Sequence, residues 1–193
     1  MSTVRAFVAI PLPETLKQAI AALQRQLKPM AGGIRWSHLK TIHLTVRFFG
    51  ETTQENLEKI KASMLSVKRS QRSFQVTVGK LGAFPDLQRP RVVWLGITPE
   101  APLRQLYSNF TTELTRHGIA PEARGFSPHL TIGRLRQRGS GSPLSAWAED
   151  SAPLGELQVA EMVLYQSRLH QSGAEHIPLL TVNFDKDKAA NEA

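Results

Sequence analysis

The sequence predicts an α+β protein with two pseudo-symmetric lobes, each a mainly antiparallel sheet with flanking helices, around a central groove. The chain has 193 residues, of which 41% are hydrophobic and 21% charged, a composition typical of soluble folded proteins. Predicted strands alternate with predicted helices along the chain. The order of elements in the first half also recurs in the second, which indicates an internal duplication.

The first half opens with a β-branched run, Val4–Ile10, that ends at Pro11 and predicts a buried strand. Apolar residues then recur at helical spacing over Leu16–Leu27. A second strand is predicted over His43–Phe49, and Gly50 is expected to end it.

Thr52 stands three residues before Glu55, a spacing typical of a capping box at the start of a helix. The helix that follows places Leu57, Ile60 and Met64 on one face. Alternation over Phe74–Val78 then predicts a half-buried strand.

The second half repeats this order, with a strand over Val92–Ile97, a helical pattern over Leu103–Leu114 and a strand that begins near His129. His43 follows the end of the first strand, Ile10, by 33 residues, and His129 follows Ile97 by 32. The near-equality predicts a duplication with halves of about 1–90 and 91–185.

The last strands are predicted over Leu157–Leu169 and His176–Phe184. A Gly/Ser/Arg stretch over Gln137–Pro143 is interpreted as an exposed loop. Since no linker is long or polar enough to separate two domains, residues 1–185 are expected to form one two-lobed domain, and 186–193 a polar tail.

Charge and cysteine content exclude several kinds of site. Lys and Arg number 24 against 16 Asp and Glu, for a net charge of +8, which favours a polyanionic partner. The absence of cysteine excludes disulfides, thiolate metal sites and cysteine nucleophiles. No signal layout and no apolar run of the roughly 20 residues that a bilayer requires are evident, so we expect a cytoplasmic protein with no membrane partner.

The two halves share a tetrapeptide, His43-Leu44-Thr45-Val46 in the first and His129-Leu130-Thr131-Ile132 in the second. In a strand the histidine and threonine project to one face, and the two apolar residues enter the core. If the halves are related by a pseudo-two-fold axis, the two imidazole–hydroxyl pairs face each other across a groove.

Paired imidazoles and hydroxyls suit acid–base catalysis at phosphorus. One histidine takes a proton while the other gives one, and the Thr45 and Thr131 hydroxyls donate to phosphoryl oxygens. Sequence alone leaves the two histidines interchangeable. No acidic residue occurs between Glu14 and Glu51 or between Glu122 and Glu149, which favours an anionic ligand over a metal, and no cofactor is expected.

Three further residues near the motifs are candidates for substrate binding. Arg47 shares face parity with His43 and so is expected to reach the groove. Phe48 has the opposite parity and is interpreted first as core, with stacking on a nucleobase as the functional alternative. Arg134 also has the opposite parity from its histidine, and is either a solvated arginine or, if the strand ends or bulges at Gly133, a phosphate ligand.

The other four histidines occur in no repeat and are expected to be surface or structural residues: His38, His117, His170 and His176.

On these motifs the sequence resembles the 2H phosphoesterases, and within them the bacterial and archaeal RNA 2′,3′-cyclic phosphodiesterases, also known as the 2′-5′ RNA ligase family. The resemblance covers nearly the whole chain. Besides the motifs it rests on five stretches: Arg5–Pro13, Phe48–Glu51, Arg91–Gly96, Phe126–Pro128, and Leu164–Ser167 followed by Pro178 and Leu179.

The resemblance implies metal-independent opening of an RNA 2′,3′-cyclic phosphate to a 2′-phosphate. By analogy His43 protonates the leaving 3′ oxygen and His129 activates water. Reverse 2′-5′ ligation, a monomeric state and substrates that include tRNA fragments are further expectations. Two alternatives stay open: a phosphodiesterase for small cyclic nucleotides or 2′-5′ oligonucleotides, and a non-catalytic RNA-binding module.

Overall fold

The structure, a computed structural model, describes residues 2–29, 33–123, 125–135, 152–171 and 173–185. The predicted loop over Gln137–Pro143 and the predicted tail, 186–193, lie outside these residues. Within them the elements are β1 (Thr3–Ile10), α1 (Glu14–Leu27), β2 (Ile34–Trp36), a short 3-10 helix (Leu39–Thr41), β3 (Leu44–Thr53), α2 (Gln54–Lys68), β4 (Phe74–Phe84), β5 (Val92–Thr98), α3 (Ala101–Arg116), β6 (His129–Leu135), β7 (Gly155–Val159), β8 (Glu161–His170) and β9 (Gly173–Asn183).

The strands form two antiparallel sheets, which confirms the predicted fold class. The first sheet has the order β3-β1-β8-β9, and the second β2-β6-β5-β4-β7. Each sheet takes strands from both halves of the sequence, so the two sheets do not correspond to residues 1–90 and 91–185. The duplication along the chain stays a prediction.

The predicted helical faces form the core. Each of the three helices buries one apolar stripe, and removing such a side chain from water contributes about 1.5–3 kcal/mol. The buried apolar residues are Leu16, Ile20, Leu23 and Leu27 in α1, Leu57, Ile60, Met64 and Val67 in α2, and Leu103, Leu106, Phe110 and Leu114 in α3. Helices α2 and α3 pack against each other.

Two predictions around the second helix are wrong. The strand β3 continues through Gly50, whose φ of 69° lets the backbone bend without breaking the pairing with β1. The helix cap is Thr53, whose hydroxyl accepts from the amide of Asn56. Thr52 is buried and donates to the carbonyl of Gly50 at 2.9 Å.

The predicted strand over Leu157–Leu169 is also wrong, since it is two strands in different sheets. Ala160 separates β7, which pairs with β4, from β8, which pairs with β1. The carbonyl of Ala160 accepts from the amide of Phe184 at the junction. The three-residue strand β2 was missed, because so short a run carries no periodicity.

Candidate active site

The two tetrapeptide motifs lie at the starts of two strands that belong to different sheets and contact each other: His43 directly precedes β3, and His129 is the first residue of β6. In each motif the two apolar residues are buried, and the histidine and threonine are half-buried. The predicted alternation is therefore confirmed within both tetrapeptides. It places the imidazole and hydroxyl of each motif on the side of the sheet away from the core.

Both motifs end in a β-bulge at the same position. Along β3, Thr45 faces Ala9 and Arg47 faces Val8, so Val46 has no partner in β1. Along β6, the corresponding unpaired residue is Ile132. Each bulge reverses the side-chain alternation for the residues that follow it.

Because of the first bulge, the predicted position of Arg47 in the groove is wrong. Its side chain is only 6% exposed, and its guanidinium lies 5.2 Å from the centroid of the Phe49 ring. The Nη2 group donates to the carbonyl of Ala120, which follows α3. Arg47 thus connects β3 to the segment after that helix.

The same bulges turn the second residue after the unpaired one, Phe48 in β3 and Arg134 in β6, to the face of the sheet that carries the histidine. Phe48 pairs with Phe7 and is 44% exposed, so its first interpretation as core is wrong. The guanidinium of Arg5 lies 4.8 Å from the centroid of the Phe48 ring. Arg134 is exposed and pairs across the strands with Arg35. Phe48 and Arg134 therefore occupy corresponding positions, each five residues after its histidine.

The ring of His43 stacks on that of Phe7, with centroids 4.7 Å apart. The pKa of His43 is lowered to about 4, first by burial and second by charge repulsion from His176, while a hydrogen bond with the Thr41 backbone opposes both. An imidazole with this pKa is neutral at pH 7 in the ligand-free protein.

The ring of His129 is oriented by its own backbone. Its Nδ1 atom lies 2.7 Å from the carbonyl oxygen of Ser127. Because a carbonyl only accepts, Nδ1 carries the hydrogen and Nε2 of the neutral ring has the free lone pair. The centroids of the Phe84 and Trp94 rings lie 5.1 and 6.3 Å from the centroid of the His129 ring. Each catalytic candidate is thus hydrogen-bonded to the backbone two residues before it.

The polar groups beside the histidines are available to a ligand. Neither Thr45 nor Thr131 hydrogen-bonds through its hydroxyl to another described residue, and Arg134 forms no ion pair with a described acid. Two hydrogen bonds stabilise the second bulge. The carbonyl of Ile132 accepts from the side chain of Gln24 at 3.0 Å and from the amide of Ser37 at 2.9 Å.

One residue that the sequence analysis missed is His176 on β9. Its ring lies 5.1 Å from that of His43 and 4.8 Å from that of Phe7. No repeat or spacing marks it, because only the curl of the first sheet brings the His176 side chain to His43. The other histidines outside the motifs agree with the structural interpretation: His38 accepts from the Lys40 amide, His117 follows α3, and His170 pairs with Glu175 at 3.0 Å.

Within the described residues, no three histidine or carboxylate side chains are grouped closely enough to hold a metal ion. Nor does any helix there have the length and apolar character needed to cross a bilayer.

Two antiparallel sheets whose paired His-x-Thr strands contact each other define a two-lobed phosphoesterase. The family model described as LigT like Phosphoesterase matches this chain twice, over residues 10–94 and 95–174. The chain belongs to this family, and it is an enzyme.

Curated relatives and solved structures match over most of the chain. The RNA 2′,3′-cyclic phosphodiesterase of Thermotoga maritima is 30% identical over 181 residues, 94% of this chain and 96% of that protein. The one from Methanocaldococcus jannaschii is 31% identical over 171 residues, 88% of this chain and 94% of that protein. The apo structure of Escherichia coli LigT has a TM-score of 0.75 at 28% identity and covers 96% of this chain and 100% of its own.

Proposed function

We propose that this enzyme hydrolyses the 2′,3′-cyclic phosphate at the end of an RNA to a 2′-phosphomonoester, with His43 as proton donor and His129 as proton acceptor. The observation that carries the proposal is the matched pair of imidazole–hydroxyl strands, each histidine hydrogen-bonded to the backbone two residues before it. Pure binding of RNA requires basic and aromatic groups but not two matched imidazoles. Relatives about 30% identical carry the corresponding name.

In the proposed reaction, Nε2 of His129 takes a proton from a water molecule while the water oxygen attacks phosphorus. The bond between phosphorus and the 3′ oxygen breaks, and His43 donates its proton to that oxygen. The product carries a 2′-phosphate that contains the water oxygen, and a free 3′ hydroxyl. Each proton transfer by a positioned side chain contributes about 10²–10⁴-fold to the reaction rate.

The threonines stabilise the charge that this reaction develops. Their hydroxyls flank the histidines and have no described partner, so they are free to donate to the non-bridging oxygens of the phosphoryl group. Because those oxygens gain negative charge in the transition state, the hydrogen bonds strengthen as the reaction proceeds. No step assigns a role to a metal ion, and we propose a metal-independent enzyme.

The second sheet supplies groups for the rest of the RNA. Arg134 and Arg35 are exposed cross-strand neighbours, and like charges placed opposite each other destabilise a sheet unless an anion lies between them. We assign them to backbone phosphates, and Phe48 to stacking on a base. This pair favours RNA, tRNA fragments included, over the alternative of a small cyclic nucleotide.

The experiment that tests the proposal is incubation of the protein with an RNA that ends in a 2′,3′-cyclic phosphate, in H₂¹⁸O with EDTA. The expected product is a 2′-phosphate that contains one ¹⁸O atom. A 3′-phosphate product, or turnover that is lost in EDTA and restored by one divalent ion, would contradict it. Adding an RNA with a 5′ hydroxyl tests reverse 2′-5′ ligation, and sedimentation tests the proposed monomeric state.

A further inference from the structure

A third imidazole beside the first motif, His176, lies on a strand that sheet order places far from β3. The strands β3 and β9 are the two edges of the first sheet, with β1 and β8 between them. In a flat sheet three strand spacings separate them by about 14 Å. The ring centroids of His43, which directly precedes β3, and His176 are nevertheless 5.1 Å apart, so the sheet curls enough for these two side chains to contact each other.

The rings at this point form one cluster. Phe7 from β1 stacks between His43 and Tyr165, at 4.7 and 5.2 Å. His176 meets Phe7 and His43 edge-on, at interplanar angles of 74° and 73°. Tyr165 lies 6.2 Å from His176. His176 therefore contacts both His43 and the phenyl ring on which His43 stacks.

The charges around the pair are few. Three groups lie against the two imidazoles: the Thr41 backbone from the turn before β3, the uncharged Phe7 ring from β1, and Tyr165 from β8. The pKa of Tyr165 is raised by burial and by Glu161. Among the described residues no carboxylate is hydrogen-bonded to either imidazole of the pair. Burial lowers the pKa of His176 as it does that of His43. The ligand-free pair is therefore uncharged at neutral pH.

We propose that His176 is a positioning residue for His43, and that the two imidazoles together take up one proton when an oxyanion binds in the groove. The proposal rests on the proposed role of His43 as proton donor. A bound phosphoryl group supplies the negative charge that the cluster lacks, so a proton from solvent becomes stable on one of the two rings. The acid is then charged only when substrate is present.

The test uses sulfate, an oxyanion that does not titrate between pH 5 and 9, and the full chain. Calorimetry at pH 6 in two buffers of different ionisation enthalpy measures the protons taken up on binding. NMR of the histidine rings measures their titration midpoints with sulfate and with chloride of equal ionic strength. We expect uptake of at least about half a proton at pH 6, and a titration midpoint of about pH 6 or above for His43 or His176 in sulfate. Absence of sulfate binding, or binding without proton uptake, would overturn the proposal.

A matched pair of variants tests the role of His176 itself. His176→Phe keeps a ring against His43 and removes the ability of that position to take up a proton, whereas His170→Phe changes an exposed histidine of β8 outside the cluster. In His176→Phe we expect the midpoint of His43 to rise in the ligand-free protein and the pH profile of cleavage to move upward with it. His170→Phe should leave both unchanged. An unchanged midpoint and pH profile in His176→Phe would contradict the positioning role.

The readouts separate this proposal from the proposed function. Proton uptake and ring titration require no turnover, so an inactive wild type would refute the hydrolysis while the pair could still be measured. If His176→Phe does not fold, His176→Gln removes the charge with a smaller side chain, and the sulfate experiment on the wild type requires no variant.

Discussion

The Nδ1 atom of His129 lies 2.7 Å from the carbonyl oxygen of Ser127, and this contact decides which nitrogen can act as a base. We predict that neutral His129 is the Nδ1–H tautomer, with the lone pair on Nε2. A ¹⁵N NMR spectrum above pH 8 distinguishes the two tautomers by the chemical shifts of their ring nitrogens. If the spectrum shows Nε2–H instead, His129 does not accept a proton in the way proposed.

The low pKa of His43 predicts a pH dependence of folding stability. Its pKa is about 4 in the folded protein against 6.5 when unfolded, so the unfolded state binds more protons between these values. The stabilisation is complete above pH 6.5 and is lost as the pH falls towards 4, by about 3 kcal/mol. Urea unfolding at pH 7 and pH 4.5 measures this loss.

The control for this measurement is His43→Gln, which removes the titrating group. Its free energy of unfolding should fall less than that of the wild type over the same pH interval, whatever its absolute stability. Equal losses in the two proteins would show that other groups cause the acid sensitivity.

The threonine hydroxyls are predicted to act in the transition state. Thr45→Val and Thr131→Val nearly conserve volume and delete only the donor, so each should lower kcat by on the order of tenfold to a thousandfold. Stability should change little, since neither hydroxyl bonds to another described residue. Wild-type kcat in both variants would reduce these residues to a structural role in their strands.

Two arginines near the motifs are predicted to behave differently. Arg134→Met removes an exposed cation beside the groove, and should weaken RNA affinity and reduce its salt dependence. Arg47→Met removes a buried cation that bonds to the carbonyl of Ala120. This variant should change the melting temperature but keep its RNA affinity within a few-fold of the wild-type value. Affinity measured at several salt concentrations, together with thermal melts, compares the two. The opposite pattern would place Arg47 in the groove.

Arg47 and Phe48 lie on the opposite faces of β3 from those that the sequence predicts. Alternation predicted the faces of all eight residues in the two tetrapeptides correctly, because a regular strand has a fixed period. It failed for Arg47 and Phe48, since the unpaired Val46 inverts the period and no residue type marks a bulge. At the corresponding place in β6, Gly133 follows the bulge, and a glycine inside a strand pattern is a sequence signal for one.

Long-range pairing was the other limit. The helices were predictable because each buries a stripe that is set by local spacing. The division at Ala160 and the approach of His176 to His43 depend on which strands pair and on how strongly the sheet curls. Those are properties of contacts between residues distant in sequence, and no local pattern encodes them.

The central claim, that His43 and His129 are an acid and a base rather than binding residues, is tested most directly by one paired measurement. Cleavage of an RNA with a 2′,3′-cyclic end and affinity for the same RNA are measured on the wild type, His43→Ala and His129→Ala at one salt concentration. We predict that each variant loses at least about a hundredfold in cleavage while its affinity stays within a few-fold, because the arginines provide most of the attraction. Near-wild-type cleavage in either variant, or a sharp loss of affinity with no cleavage by the wild type, would contradict the account.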